Sequence, residues 1–199
     1  MKPSPERQRP LILASSSAYR KALLDKLGLA YRTASPNIDE TPKPGEAPET
    51  QALRLAADKA RALAGRYPDH LIIGSDQVAV ANGQRLGKPG SRDNAIAQLR
   101  ASSGHSVTFY TAICVLDSNS GMAKSDLDRT VVQFRKLSDQ QIEHYVDREQ
   151  PLDCAGSFKS EGLGIALFER IEGEDPNALI GLPLIRLIRL LEGFGLEVL

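Results

Sequence analysis

The chain lacks an excess of charge of either sign, since Lys plus Arg and Asp plus Glu both number 25, and aromatic residues make up only 5% of it. No global field draws such a protein to nucleic acid or to an anionic membrane, so neither is expected as a partner. Any anion site must be built locally. Long apolar runs are missing as well: no window approaches the roughly 18 consecutive apolar residues that a membrane helix requires. The segment "MKPSPERQRP" (1–10) is a polar leader broken by proline, without the apolar stretch of a secretion signal. A cytoplasmic protein is therefore expected. Cysteine is scarce. Cys114 lies in an apolar strand pattern and Cys154 follows 40 residues later, a spacing that suggests neither a zinc site nor a redox pair, so both read as reduced, structural thiols. His70, His105 and His144 are scattered without helical ligand spacing, which argues against a histidine metal centre. Internal repeats and low-complexity tracts are absent.

What is present fits one domain over residues 11–199, since a chain of 199 residues can bury a sizeable core. "LILA" (11–14) reads as a buried strand. Leu23, Leu24 and Leu27 then share a helical face that Gly28 terminates. The Pro-rich, acidic segment 33–49 reads as an exposed loop, and Thr50 as the cap of a helix whose stripe is Leu53, Ala56, Ala60, Leu63 and Ala64, ended by Gly65. "LIIGSD" predicts a strand ending at Asp76, followed by a second apolar segment and a hairpin turn at Asn82-Gly83. Ser91 opens a helix to about Ser102. Residues 106–117 and 128–136 alternate and should pair as antiparallel neighbours. Ser138 and Gln141 form a capping box for a helix burying Ile142, Tyr145 and Val146. Residues 164–171 predict a strand, and Pro183 opens the last helix. Helix-linked strands and direct hairpins together imply an α/β fold with a mixed sheet.

Chemistry collects at a few positions. Ser15, Ser16 and Ser17 precede a helix whose first turn carries Arg20 and Lys21. Two cations at that end oppose the helix dipole by roughly 0.3–1 kcal/mol each. Hydroxyls, free backbone N–H groups and charge describe a cradle for phosphate or carboxylate, although a serine-capped helix with two solvated cations reads equally well. The glycines and Gly-Lys-Ser/Thr ending of a Walker loop are missing. Asp76, beyond "LIIGS", is placed to hold a metal or orient water, or to make a turn. Lys59 interrupts an apolar stripe, which sets a cation against the sheet unless its stem snorkels outward. Lys88 in "LGKPG" and Asp39 and Glu40 in "IDET" complete a balance of cations and acids that suits a polyphosphate carrying Mg²⁺ or Mn²⁺.

The motifs "LASSSAYRKALLDKLGL", "DET", "AADKA", "IIGSDQV", "GKP", "SGHSVTFYTAICV" and "CAGSFKSEGLGIALFERIEGEDPNALIGLPL" occur in an order that resembles the Maf family of nucleotide pyrophosphatases, from about Leu11 to the last helix. "GSDQV" and "CAGSFKSEG" are similar to its YceF branch, whose members hydrolyse 7-methyl-GTP to the monophosphate and pyrophosphate. The resemblance implies an elongated mixed sheet flanked by helices, with a cleft between two lobes, related to inosine triphosphate pyrophosphatases. By motif it implies Asp76 as the catalytic proton acceptor, and Ser15, Ser17, Arg20, Lys59 and Lys88 as holding the triphosphate. It further implies Glu40 and Asp76 at a divalent metal, with Tyr19, Gln77 and Glu161 at the positions that set specificity. The family's loop commonly has proline where this chain has Ala18, and arginine where it has Lys21, whose role stays unassigned. Two other readings remain open at this point: a nucleotide-sensing regulator of cell division, and a pyrophosphatase for dTTP, UTP or CTP. Gln77 argues against the latter, because that branch usually has threonine there. The sequence allows a monomer or a homodimer.

Overall fold

Strand β1 (Leu11–Ala14) is buried along its whole length, and its four apolar residues alternate between two cores. A computed structural model describes residues 9–199 of the chain. The polar leader assigned to 1–10 lies outside them except for Arg9, which pairs with Asp117 at 2.8 Å, and Pro10, whose carbonyl accepts from Leu71 N. After β1 come α1 (Ala18–Asp25), β2 (Tyr31–Ala34), α2 (Pro48–Arg61), β3 (Leu71–Ala81) and β4 (Gln84–Leu86). Then follow α3 (Arg92–Ser102), β5 (Ser106–Asp117), β6 (Ala123–Phe134), α4 (Asp139–Glu149), β7 (Phe168–Glu172) and α5 (Leu184–Glu192). No described helix is long and apolar enough to cross a membrane.

The strands form one seven-stranded sheet in the order β2-β1-β3-β5-β6-β7, with β4 beside β3. β1 pairs parallel with β2 and β3, and every other pairing is antiparallel, so the sheet is mixed as expected. One edge of β3 is shared: β1 reaches Ile73 and β4 begins at Ala79. Residues 74–78 therefore have no strand on that edge, although β5 pairs with β3 continuously on the other. This break in the sheet opens the cleft.

Leu11, Leu13, Leu71, Ile73, Ile113 and Val115 face α1 and α5, where Leu184, Leu187 and Leu191 are buried. Ile12, Ala14, Ile72, Ala112 and Cys114 face the small residues of α2. Gly74 lets that helix come close: a Cβ at this position would lie 2.1 Å from the Ala56 carbonyl oxygen and 2.9 Å from Ala60 N, both backbone atoms. A third cluster fills the second lobe between α3, α4 and the far ends of β5 and β6. Four of the five phenylalanines meet there edge to face, with ring centroids 4.8–5.7 Å apart, so the scarce aromatics are concentrated in one place.

Several boundaries differ from the sequence reading. Asp76 lies inside β3 and does not end it, because β5 pairs across the entire apolar stretch. The loop of 33–49 begins with the end of β2, whose polar "YRTA" gives no strand signal. Ala47 caps α2, Pro48 takes its first position and Thr50 lies within the helix. Residues 163–167 form a 3-10 turn before β7, where Gly164 N donates to the Lys159 carbonyl at 3.1 Å instead of to a neighbouring strand. The capping box of α4, the Ser91 cap of α3 and the Asn82-Gly83 turn, with φ of 50° and 75°, occur where the sequence puts them.

Candidate active site

The break beside β3 exposes a cleft of about 960 Å³ lined by both lobes. Side chains alternate along β3, so Asp76 points towards α2 while Ser75 and Gln77 point the other way. Lys59 meets Asp76 because Gly74 brings α2 against the strand. Its Nζ donates to Asp76 Oδ1 at 2.6 Å and lies 2.8 Å from Glu40 Oε1. The lysine does not snorkel: it and Asp76 are both 6% exposed. Glu40 is different, with 58% of its side chain exposed at the cleft rim. Burial pushes the Asp76 carboxyl above its ordinary range, against the pull of Lys59 and Arg20, and the Glu40 charge adds to the upward shift.

Arg20 reaches the same place from the first turn of α1. Ser15 Oγ accepts from Ser17 N at 3.1 Å and Ser17 Oγ accepts from Arg20 N at 3.4 Å, which folds the serine loop into the start of α1. The guanidinium Nε donates to the Gly181 carbonyl at 2.8 Å, and desolvation lowers its pKa against the opposing attraction of Asp76 and Glu40. Ser75 Oγ bonds the same carbonyl at 3.0 Å. The loop carrying Gly181 is held by buried Asp175, which accepts from Asn177 N and Ile185 N. Arg20 is thus aimed by a backbone oxygen and has no carboxylate partner among the described residues. Lys21, on the outer side of α1, does not line the cleft.

Gln77 is oriented by its surroundings. Its Nε2 donates to Thr111 Oγ1 and to the carbonyls of Ala178 and Leu179, at 2.9–3.1 Å, leaving Oε1 as an acceptor at the cleft. Tyr19 packs beside Cys154 and Asp153: its hydroxyl is 3.4 Å from Asp153 Oδ1, and the Cys154 thiol donates to it at 3.7 Å. Burial pushes that thiol up to about 11 and also raises the Tyr19 hydroxyl, so both remain protonated near neutrality. Cys114 is a second free thiol in the core, likewise raised by burial.

Ser15, Ser17, Tyr19, Arg20, Glu40, Lys59, Asp76, Gln77, Lys88 and Glu161 all line this one cleft, though they come from residues spread over most of the chain. Two further lining residues, Gln51 and Arg85, escaped the sequence reading. Gln51 sits in the first turn of α2, and Arg85 is an ordinary cation in a short polar strand. The one signal that could find Gln51 is its i, i+4, i+8 spacing with Leu55 and Lys59, which puts the three on one buried face of α2. Among the described residues no three His, Cys, Asp or Glu side chains form a metal-binding group. Glu40 and Asp76 nevertheless converge on one ammonium, a two-carboxylate donor set that suits a hard divalent ion when phosphate oxygens complete the shell.

The fold and cleft define a class first. The Ham1 protein of Staphylococcus aureus superposes with a TM-score of 0.53 over 94% of this chain and all of its own, at 16% identity, which establishes a shared mixed α/β architecture. The sequence then defines the family: the model described as Maf-like protein matches residues 10–194, and the chain belongs to that family. Similar relatives are the 7-methyl-GTP pyrophosphatases of Chromohalobacter salexigens (58% identity), Vibrio vulnificus (56%) and Nitrosococcus oceani (55%). Each alignment covers 94–95% of this chain and 95–97% of the relative.

Proposed function

We propose that this protein is a nucleoside triphosphate pyrophosphatase that hydrolyses 7-methyl-GTP to 7-methyl-GMP and pyrophosphate, removing modified nucleotides in the cytoplasm. What carries the reading is the convergence of Arg20, Lys59, Lys88 and Asp76 on one cleft, in a chain whose relatives bearing that activity match it over nearly its full length.

Water attacks the α-phosphorus, the bond to the bridging oxygen breaks and pyrophosphate departs. Asp76 takes the proton of the attacking water. A carboxyl lifted by burial is a better base near neutral pH than a solvated one, and general-base help of this kind is worth roughly 10²–10⁴ in rate. Ser15, Ser17, Arg20, Lys59 and Lys88 bind the phosphates and stabilise charge developing on the leaving oxygens. Glu40 and Asp76 would hold Mg²⁺ or Mn²⁺, which when bound would supply charge neutralisation and polarise phosphate oxygens. No covalent intermediate is required of the protein.

Base choice follows from acceptors. A 7-methylguanine ring is cationic and presents ring and exocyclic N–H donors along one edge. The Gln77 Oε1 acceptor and the Glu161 carboxylate match those donors. Stacking on Tyr19 adds a cation–π contribution of roughly 0.5–2 kcal/mol. A pyrimidine offers fewer donors and no positive ring.

The test is pyrophosphate release from 7-methyl-GTP, GTP, dTTP and UTP, with and without Mg²⁺ or Mn²⁺, by the parent and by Asp76→Asn. Fastest turnover of 7-methyl-GTP and a loss of roughly 10²–10⁴ in the variant are expected. No turnover by the parent refutes the enzymatic reading in favour of a sensor, and turnover that is unchanged in the variant refutes the role given to Asp76. Preference for dTTP or UTP refutes the base assignment alone.

A further inference from the structure

Gln51 and Arg85 occupy one end of the cleft and belong to none of the roles assigned above. Gln51 is 6% exposed and lines the cavity. Its Oε1 accepts from Arg85 Nε at 2.7 Å, and Arg85 Nη2 also donates to the Glu46 carbonyl. A guanidinium can only donate, so it fixes the carboxamide with its oxygen towards Arg85 and its nitrogen turned away. That nitrogen, Nε2, donates to no described residue. Gln51 is more than nine-tenths buried, and this nitrogen is the donor that it leaves in contact with solvent, without an acceptor among the described residues. Arg85 likewise has no carboxylate partner among the described residues: the nearby acid, Glu46, is already bound to Arg54 through both oxygens, at 2.6 and 2.7 Å.

The position of this pair identifies what it faces. Gln51, Leu55 and Lys59 share one face of α2, and eight residues of helix separate the outer two by about 12 Å. Arg85 pairs with Val80, four residues beyond Asp76 on the same face of β3. Arg85 and Gln51 line the cleft where β4 meets α2, and the acids Asp153 and Glu161 line it beside Tyr19; the loop of Lys88 runs on to that second side, where Gly90 N donates to the Leu152 carbonyl at 3.0 Å. The acids suit N–H donors and a cationic ring, and the guanidinium with the Gln51 amide suits phosphate.

We infer that Gln51 and Arg85 form an anion subsite for the terminal phosphate of the substrate, and hence for the departing pyrophosphate, with Gln51 Nε2 donating beside the guanidinium. This inference rests on the pyrophosphatase reading for the identity of the ligand. Titration calorimetry with inorganic pyrophosphate, and separately with 7-methyl-GMP, tests it on the parent, Arg85→Gln, Arg85→Lys and Gln51→Leu, alongside steady-state kinetics. Arg85→Gln should weaken pyrophosphate binding by roughly tenfold or more and raise KM for the triphosphate similarly, since a charge-assisted hydrogen bond is lost. Binding of 7-methyl-GMP should stay within about twofold. Arg85→Lys should fall between, keeping the charge without the fork, and Gln51→Leu should weaken pyrophosphate with little effect on the monophosphate. Unchanged pyrophosphate affinity in folded Arg85→Gln and Arg85→Lys overturns the subsite, as does an equal loss for both ligands. If the parent cleaves no triphosphate yet pyrophosphate binding falls in Arg85→Gln, the subsite stands and the enzymatic reading fails.

Discussion

Replacing Gly74 by alanine should disable the site without touching any charged group. The added Cβ would sit 2.1 Å from the Ala56 carbonyl oxygen, and real Cβ contacts essentially never fall below 3.0 Å, so α2 must withdraw by at least 0.9 Å. The obstacle is backbone, and no rotamer change relieves it. Carried to Lys59, the same displacement stretches its 2.6 Å bond with Asp76 to about 3.5 Å if the side chain keeps its rotamer. Overpacking of this kind costs about 1–3 kcal/mol, which for a chain of this length is a drop in Tm of roughly 2–12 °C. A misplacement near 1 Å at a reacting centre costs about 10² in rate. Differential scanning fluorimetry and pyrophosphate release measure the two effects. Gly65→Ala is the control: its Cβ meets nothing within 4 Å and its φ is not positive, so both quantities should hold. A Gly74→Ala protein with parental Tm and kcat would refute the claim that this helix–strand approach sets the geometry of Lys59 and Asp76.

Lys59→Met should destabilise by roughly 3 kcal/mol at pH 8 in EDTA, because it leaves a buried carboxylate without its main partner, whereas the exposed Glu40 adds little to the pair. The Asp76 carboxyl, already raised, rises further, and a folded-state pKa above the unfolded value means stability returns as pH falls through it. Urea melts across pH 5–8 check this, and Lys59→Met with Asp76→Leu should be more stable than Lys59→Met alone. Arg186→Met should cost about 3 kcal/mol by stranding the fully buried Asp128, while Glu174→Gln, at an 82% exposed partner of the same arginine, should cost under about 0.5 kcal/mol; thermal melts separate them. Burial raises the Asp117 carboxyl, but hydrogen bonds from Arg9, Ser120 and Asn119 outweigh that and hold it at about 2. Its contribution is therefore full above about pH 4 and lost as pH falls towards 2. The slope of unfolding free energy against pH in that window should shrink in Asp117→Asn.

Most elements were legible because their signals are local. Ser138 with Gln141, Ser91, Asn82-Gly83 and the alternation of 106–117 each act over a few residues, and the structure follows them. β2 was not legible, since an edge strand with a polar face gains its order from backbone bonds to β1 rather than from its own side chains. The sequence ends β3 too early, at Asp76, for a related reason: a polar residue reads as a strand end unless the partner strand and Lys59 are known. Motif resemblance supplied the cleft residues that spacing alone left ambiguous. Gln51 and Arg85 carried no motif, and only their meeting across α2 and β4 makes them visible.

β3 and β5 run unbroken past the cleft and pair from Leu71 with Asp117 to Ala81 with Val107. Both lobes are therefore mounted on the same two continuous strands, and a jaw-like hinge would have to break or bend that ladder. The paired strands therefore resist a hinge between the lobes, and under the proposed function a nucleotide meets walls whose spacing that ladder holds. Discrimination between bases then rests on which donors and acceptors meet fixed partners rather than on a closing motion that rewards the correct guest.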